Sequence, residues 1–307
     1  MLPTLLKARF PTVSLGLGVL LVVASFFKID DITKMQMSAH SSPIYPVFAC
    51  GIVLIVAAVA VVLLTAAPLE LRINSKIKRT KSGFTLRIGS ADFNISFGRI
   101  ENWECSDRSC AIALPANEFF DDECINDRDS ALGAYIQSKF PGKIDDILKL
   151  ISQRLEGLPS EQIEKEPGKL DESYDIGTCV YLDRPLSVDK RIILASATTK
   201  RAGQGLRAEP LFVFIAMKSV LQVMADHRIT ELYLPLIGAG RGGMPSAIAL
   251  LYLALAVSEL LRSSLGYHLR SINTMVFQKD RNTAPEVSRR TVRRILAFVD
   301  SVVCEQM

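Results

Sequence analysis

The sequence lacks the short motifs that commonly mark hydrolases and metal sites. It has no Gly-x-Ser-x-Gly and no His-Glu-x-x-His pattern, and its three histidines, His40, His227 and His268, stand far apart. None of the six cysteines forms a Cys-x-x-Cys pair or has a neighbouring histidine, so a zinc site is not indicated and reduced cytosolic thiols are expected. No EF-hand spacing occurs. A hydrolytic triad has no support, although triads can assemble from distant positions.

The chain also lacks internal repeats and low-complexity tracts. Its 307 residues are enough for one large domain or two ordinary ones, and the net charge is only +4. Mean hydropathy is positive, at +0.25, and the apolar excess lies in about the first 70 residues. The basic surplus follows directly after this region, which favours a membrane surface over nucleic acid as the partner.

Two apolar runs predict transmembrane helices. Residues 12–27, extended by Phe10 and Ile29, reach about 20 residues, roughly the length that crosses a bilayer. Residues 44–67 contain no charged side chain. A cleaved signal peptide is the alternative for the first run, but Phe26 and Phe27 followed by a lysine make a poor cleavage site.

Basic residues on the flanks of the two runs predict their orientation. Lys7 and Arg9 precede the first run, and five basic residues follow the second: Arg72, Lys76, Lys78, Arg79 and Lys81. Both termini are therefore expected in the cytoplasm. The predicted organisation is a two-span region at 1–69, a basic juxtamembrane linker at 70–83 and a cytosolic domain at 84–307. Small residues spaced four apart, such as Thr12 and Gly16, favour close helix contacts and suggest a homo-oligomer.

The cytosolic part alternates short strands with helices, which predicts an α/β fold with helices on both faces of a sheet. Predicted strands are residues 84–88, 93–97, 110–114, 177–182, 191–196, 232–237 and 270–277. Predicted helices are residues 130–139, 143–155, 209–227 and 287–303, with a further apolar helix after Pro245. Residues 158–174, rich in acidic side chains, are predicted to form a surface excursion.

A glycine-dense loop between a strand and a helix is the strongest candidate for a ligand site. It consists of Ile237, Gly238, Ala239, Gly240, Arg241, Gly242 and Gly243. Glycines let a phosphate approach backbone N–H groups, and the following helix start offers further donors. No Lys-Ser/Thr pair follows, so this is not a Walker loop. A tight turn without a ligand is the alternative, and Arg241 is either a phosphate donor or an exposed loop residue.

Two further stretches could complete such a site. Asn117, Glu118 and Asp122 follow a strand end, where open α/β sheets bind ligands, and Asn117 can pair with a ribose hydroxyl. The alternatives are that Asn117 only shapes the turn and that the acidic residues are solvated. Ser130, Leu132 and Gly133 lie at a helix start, where Ser130 is a suitable N-cap and Gly133 permits close backbone approach.

The runs VYL, RIILAS and LYLPLIGAGRGG, with the helices around them, resemble a macrodomain over residues 84–303. The resemblance implies a three-layer α/β/α sandwich with a mixed sheet that binds ADP-ribose or a relative. It places Asn117 near the ribose, residues 130–135 in the first phosphate loop and the Pro-Leu-Ile-Gly-Ala-Gly run around the diphosphate. Arg99 stands where many macrodomains have the Asp that contacts adenine, which leaves Asp92, Asp122 or apolar stacking to hold the base.

The NEFFD run at 117–121 and the two apolar runs resemble the membrane-anchored macrodomain effectors of type II Thoeris antiphage systems. This resemblance implies a non-enzymatic inner-membrane protein that uses no cofactor, metal or nucleic acid. Its signal would be a histidine-conjugated ADP-ribose made by a TIR-domain partner, and binding would trigger oligomerisation and membrane disruption. Two alternatives remain open: a membrane-anchored ADP-ribosyl hydrolase in which Asn117 positions a water, and a passive adaptor without ligand binding.

Overall fold

The computed structural model describes residues 27–31, 36–39, 77–104, 109–263, 266, 268–280 and 282–304. The chain divides into two compact units, Met1–Ile73 and Asn74–Met307. In the first unit, strand β1 (Phe27–Asp31) pairs antiparallel with strand β2 (Gln36–Ala39). The two predicted spans lie outside the described residues except at the end of the first, where Phe27 and Ile29 belong to β1. Among the described helices, none has the length and apolar character that a membrane span requires.

The second unit is organised around an eight-stranded mixed sheet with the strand order β3-β4-β5-β12-β11-β6-β10-β9. Its strands are β3 (Ile77–Arg79), β4 (Gly83–Ile88), β5 (Ala91–Gly98), β6 (Cys110–Asn117), β9 (Cys179–Asp183), β10 (Arg191–Thr198), β11 (Glu231–Pro235) and β12 (Ser271–Phe277). The five central strands β5, β12, β11, β6 and β10 are parallel, and the outer strands pair antiparallel.

Helices cover both faces of the sheet. They are α1 (Asp122–Asn126), α2 (Ala131–Lys139), α3 (Ile144–Leu155), α4 (Pro210–Asp226), α5 (Ser246–Arg262) and α6 (Arg289–Cys304). One hydrophobic core joins the sheet to α4, α5 and α6, and a second joins the opposite face to α1, α2 and α3. The predicted three-layer α/β/α sandwich with a mixed sheet is therefore confirmed for this unit.

The apolar spacing of each helix explains which face it buries. In α3, Ile147, Ile151 and Leu155 recur every four residues, so they share one face and all three are buried against the sheet. The central parallel strands are apolar on both faces, as β10 shows with seven successive buried residues after Arg191. Both cores consist of residues of the second unit, so this unit contains what an independently folding domain needs.

The surface excursion predicted at 158–174 is a mostly exposed β-hairpin of β7 (Glu161–Glu166) and β8 (Lys169–Ser173), with Lys165 and Ser173 buried. Two other sequence expectations need correction. The predicted linker at 70–83 contributes β3 and the first residue of β4 to the sheet. Cys110 is disulfide-bonded, so the expectation of reduced thiols is wrong at this position, whereas Cys124 and Cys179 are free.

The topology places one group of loops at a single edge of the sheet. Because the five central strands are parallel, their carboxyl ends lie side by side. The segments after β6 and β11, which contain the predicted site residues, both leave the sheet at this edge.

Candidate ligand-binding cleft

A cleft of about 730 Å³ opens at the carboxyl edge of the parallel strands. Its floor includes Gly98, Ala116, Thr198 and Met275 from four of these strands. Its walls are two loops, which we call the first loop, residues 127–132, and the glycine loop, residues 238–242. The position agrees with the general rule that open α/β sheets bind ligands at the carboxyl ends of their strands.

The glycine loop and the residue that follows it have a backbone conformation that residues with a Cβ rarely adopt. Gly238, Gly240 and Gly243 have φ angles of 84°, 62° and 72°, in the left-handed region that favours glycine. A Cβ on Gly242 would lie 2.9 Å from the Cβ of Ala208, so this glycine is needed for close packing.

The amides of the glycine loop are available for a ligand. The N–H groups of Ala239, Gly240 and Arg241 have no acceptor among the described residues. Successive free N–H groups on such a turn are suited to bind an anion.

The first loop leads into α2 through a capped helix start. The Ser130 Oγ accepts a hydrogen bond from Gly133 N–H at 2.9 Å, which confirms the predicted N-cap. Gly133 does not line the cleft; a Cβ there would lie 2.1 Å from the carbonyl oxygen of Asp127. Ala131 and Leu132 line the cleft, and their N–H groups have no acceptor among the described residues. The two walls thus each present backbone donors.

An ion pair joins the two walls. Arg241 donates from Nε to Asp127 Oδ2 at 2.6 Å and from Nη2 to Asp127 Oδ1 at 2.9 Å, and its Nη2 lies 3.6 Å from Asp129 Oδ2. The Arg241 hydrogen bonds are the main reason that the pKa of Asp127 is lowered, and Asp127 in turn raises the pKa of Arg241. Arg241 is therefore an exposed loop residue, as the alternative held, but its Nε and Nη2 donors are engaged by Asp127 in this structure.

The residues after β6 are placed differently from the two loops. Asn117 is fully buried, and its side-chain oxygen accepts from Phe119 N–H at 3.1 Å while its amide donates to Asp121. Glu118 is also buried; it accepts from Lys200 N–H at 2.8 Å and from Arg201. Neither residue lines the cleft: Asn117 stabilises the turn after β6, and Glu118 joins that turn to the segment after β10.

The predicted site residues therefore fall into three groups. The cleft is lined by Ser130, Leu132, Gly238, Ala239, Gly240, Arg241 and Gly242. Next to it, supporting the two loops, lie Gly133, Ile237 and Gly243. Outside the lining are Asn117, Glu118 and Asp122, the last an exposed residue that begins α1 and pairs with Asn126.

Several cleft residues were not predicted from the sequence. Phe277 ends β12 and is half exposed in the cleft, where it offers an aromatic surface. Lys279 lines the cleft, and its ammonium group has no ion-pair partner among the described residues. Asp127 was missed because nothing in the sequence around it indicates that its carboxylate lies beside the predicted anion site. An exposed aromatic residue at the end of a parallel strand is a signal that could have indicated Phe277.

The structure also bears on the residues proposed to replace the adenine-binding Asp. Arg99 lines the cleft and donates from Nε to Glu101 Oε1 at 2.5 Å. Asp92 lies near the opposite end of β5 and pairs with Arg87 at 2.9 Å. Because neither Asp92 nor Asp122 lines the cleft, apolar contact with Phe277 is the alternative that this geometry favours.

The acidic turn at the start of α1 is solvated at Asp122 and Glu123, as expected, but two of its carboxylates are also paired with lysines. Lys165 Nζ lies 2.6 Å from Asp121 Oδ2, and Lys200 Nζ lies 2.8 Å from Glu123 Oε2. In the described part of the chain no group of three potential metal ligands occurs. Beside this turn, burial raises the pKa of Cys124 to about 12, so its thiol is protonated and a poor nucleophile at neutral pH.

The fold and the cleft define an α/β sandwich whose loops suit a phosphorylated ligand. The sequence model of the family described as Thoeris protein ThsA, Macro domain, matches residues 104–265, more than half of the 307-residue chain. The chain belongs to this family. A comparison with curated proteins gives no match.

Solved structures similar to this chain are macrodomains. The Oceanobacillus iheyensis macrodomain with MES bound is 13% identical over 73% of this chain and 97% of that one, with a TM-score of 0.48. The same macrodomain with ADP is 11% identical over 73% and 97%, with a TM-score of 0.46. The Trypanosoma brucei macrodomain in complex with ADP-ribose is 13% identical over 66% of this chain and 68% of that one, with a TM-score of 0.42.

Proposed function

We propose that the second unit is a sensor that binds an ADP-ribose-type nucleotide in the cleft and acts in Thoeris antiphage defence. The observation that carries this proposal is the pair of facing loops, each with free backbone N–H groups, across one cleft. Such donors are complementary to the two phosphates of a diphosphate. Membership of the ThsA macrodomain family supports the choice of ADP-ribose over other diphosphates.

The rest of the cleft fits the other parts of such a ligand. Phe277 supplies a half-exposed ring on which adenine can stack, and Lys279 supplies a cation near it. The volume of about 730 Å³ lies within the range of small-molecule sites. The signal proposed is the histidine-conjugated form made by a TIR-domain partner, as the Thoeris resemblance implies.

The proposed output is at the inner membrane. The apolar run at 44–67, and the run at 12–27 when extended by Phe10 and Ile29, are long enough to span a bilayer with both termini cytoplasmic, and their small residues would permit homo-oligomers. Ligand binding changes assembly only if one assembly state binds the ligand more tightly than the other. We propose that the occupied sensor favours the assembled state, which disrupts the membrane.

The hydrolase alternative predicts turnover rather than sensing. Its water-positioning residue would be Asn117, but both ends of that side-chain amide are engaged within its own turn. We therefore favour binding without catalysis, and release of ADP-ribose from a modified protein at a rate lost in Asn117→Ala would favour the hydrolase instead.

Calorimetry on residues 74–307 tests the proposal directly. We expect binding of ADP-ribose and tighter binding of its histidine conjugate, and loss of both in Gly240→Glu. The added carboxylate would place negative charge beside the diphosphate. Nothing lies within 4 Å of a Cβ at Gly240, so the new side chain meets no steric clash. Unchanged binding by Gly240→Glu would refute the site.

A matched control separates this effect from backbone strain. Gly142 has a φ of 71°, close to the 62° of Gly240, and nothing lies within 4 Å of a Cβ at either position. Gly142 is in the connection between α2 and α3, away from the cleft lining. Gly142→Glu should therefore show similar strain with normal ligand binding.

A further inference from the structure

The guanidinium group best placed to contact a ligand phosphate is already occupied by the protein. Arg241 lines the cleft, and the two donors on its Nε/Nη2 edge are used by Asp127, at 2.6 and 2.9 Å. A carboxylate binds this fork through two oxygens, which is also how a phosphate binds it. An incoming phosphate that binds this same Nε/Nη2 edge of the guanidinium therefore needs the two N–H groups that Asp127 holds.

We infer that Asp127 is an internal competitor of the ligand, and that binding proceeds by exchange of Arg241 from Asp127 to a phosphate. The inference rests on the proposed function, because it concerns the same cleft. By this competition Asp127 lowers the affinity of the sensor for its ligand and so sets the ligand concentration at which the cleft is occupied. Only a ligand that presents two suitably spaced anionic oxygens can replace both hydrogen bonds.

The positions of the two side chains permit the exchange. Arg241 is 55% exposed and Asp127 26% exposed, so neither is locked in a core. Asp127 Oδ1 also accepts from Asp129 N–H at 3.0 Å, a hydrogen bond that remains when Arg241 leaves. Asp129 Oδ2 lies 3.6 Å from Arg241 Nη2, and its side chain is 89% exposed. It therefore attracts the guanidinium electrostatically but does not form a second bidentate pair with it. The carboxylate is thus left solvated and hydrogen-bonded after the exchange.

Besides competing for Arg241, the Asp127 carboxylate also repels an anionic ligand. A carboxylate on the cleft wall repels a diphosphate directly, whether or not it holds Arg241. The two effects can be separated, because repulsion persists when Arg241 is absent whereas competition does not. A double-mutant cycle on Asp127 and Arg241 therefore reports the exchange itself.

The test measures ADP-ribose affinity of residues 74–307 by calorimetry. We expect Asp127→Asn to tighten binding about two- to fivefold, the range that exposed ion pairs of this kind support. Arg241→Ala should weaken binding by about tenfold. In the Arg241→Ala background, Asp127→Asn should have a clearly smaller effect than in the wild type.

A matched control is the exposed pair of Arg87 and Asp92, at 2.9 Å and outside the cleft. Asp92→Asn makes the same chemical change and should leave the affinity unchanged. Equal or weaker binding by Asp127→Asn while the wild type binds would overturn the exchange and leave the proposed function standing. An equal gain in both backgrounds would reduce the role of Asp127 to simple repulsion and also overturn it. Absence of binding by the wild type and by Asp127→Asn would overturn both proposals.

Discussion

Lys165 and Asp121, 2.6 Å apart, join the β7–β8 hairpin to the segment that leads into the first loop of the cleft. Lys165 is only 5% exposed and lies 5.5 Å from the ring of Phe119. Burial lowers its pKa, but Asp121 and, more weakly, Glu123 and Asp171 outweigh burial and raise it. Lys165 is therefore a charged group in a buried position, held by its carboxylate partners.

Removal of this ammonium group should destabilise the domain. Lys165→Met leaves Asp121 without its cation, and we expect the free energy of unfolding to fall by about 1–3 kcal/mol in chemical denaturation. Lys169 is the control, because it is 59% exposed and lies 3.7 Å from Asp171. Lys169→Met should cost less than about 0.5 kcal/mol. Equal losses in the two variants would contradict the structural role of Lys165.

Gly133 should tolerate no side chain. A Cβ at this position would lie 2.1 Å from the Asp127 carbonyl oxygen, so Gly133→Ala must displace either α2 or the first loop. We expect a loss of about 1–3 kcal/mol in stability and weaker binding of ADP-ribose, measured by denaturation and calorimetry. Gly205→Ala is the control, since nothing lies within 4 Å of its Cβ. A Gly133→Ala protein with wild-type stability and affinity would show that the close approach is absent.

The pKa of Asp127 should report the ion pair in solution. Arg241 lowers this pKa below the ordinary value of 3.8, because it stabilises the charged carboxylate. The stabilisation is complete above the ordinary value and is lost as the pH falls through the lowered pKa. Arg241→Ala should raise the pKa toward 3.8, whereas Arg191→Ala should not change it; carboxyl carbon NMR titration measures both. An Asp127 pKa that is the same with and without Arg241 would exclude the pair.

Phe277 should contribute to binding of the base. Phe277→Ala should weaken ADP-ribose binding about tenfold, since stacking on an aromatic side chain is worth about 1–3 kcal/mol per base. Binding of inorganic pyrophosphate, which has no base, should be unaffected. Phe298→Ala is a matched control, because Phe298 is 49% exposed and Phe277 50%, but Phe298 lies on α6 away from the cleft lining. A parallel loss for pyrophosphate would assign Phe277 to packing rather than to the base.

Much of the second unit could be predicted from the sequence, because periodicity and turn residues are local signals. The helices at 131–139, 144–155 and 210–226 begin and end within about two residues of the predicted bounds. The glycine loop was identified because its density of glycine between a strand and a helix is visible in the sequence, and glycine permits the left-handed backbone found at Gly238 and Gly240. The hairpin at 161–173 was missed because its strands are mostly exposed and charged, without an apolar alternation.

What the sequence by itself determined is the α/β order of the second unit, the glycine loop and the N-cap at Ser130. The two apolar runs near the N-terminus stay a prediction of membrane anchoring. Only the tertiary structure decided that Arg241 faces Asp127, 114 residues away, and that Asn117 turns into its own loop. The reason is physical: periodicity reports which face of an element is buried, whereas the partner of a polar side chain depends on which strand ends the sheet brings together.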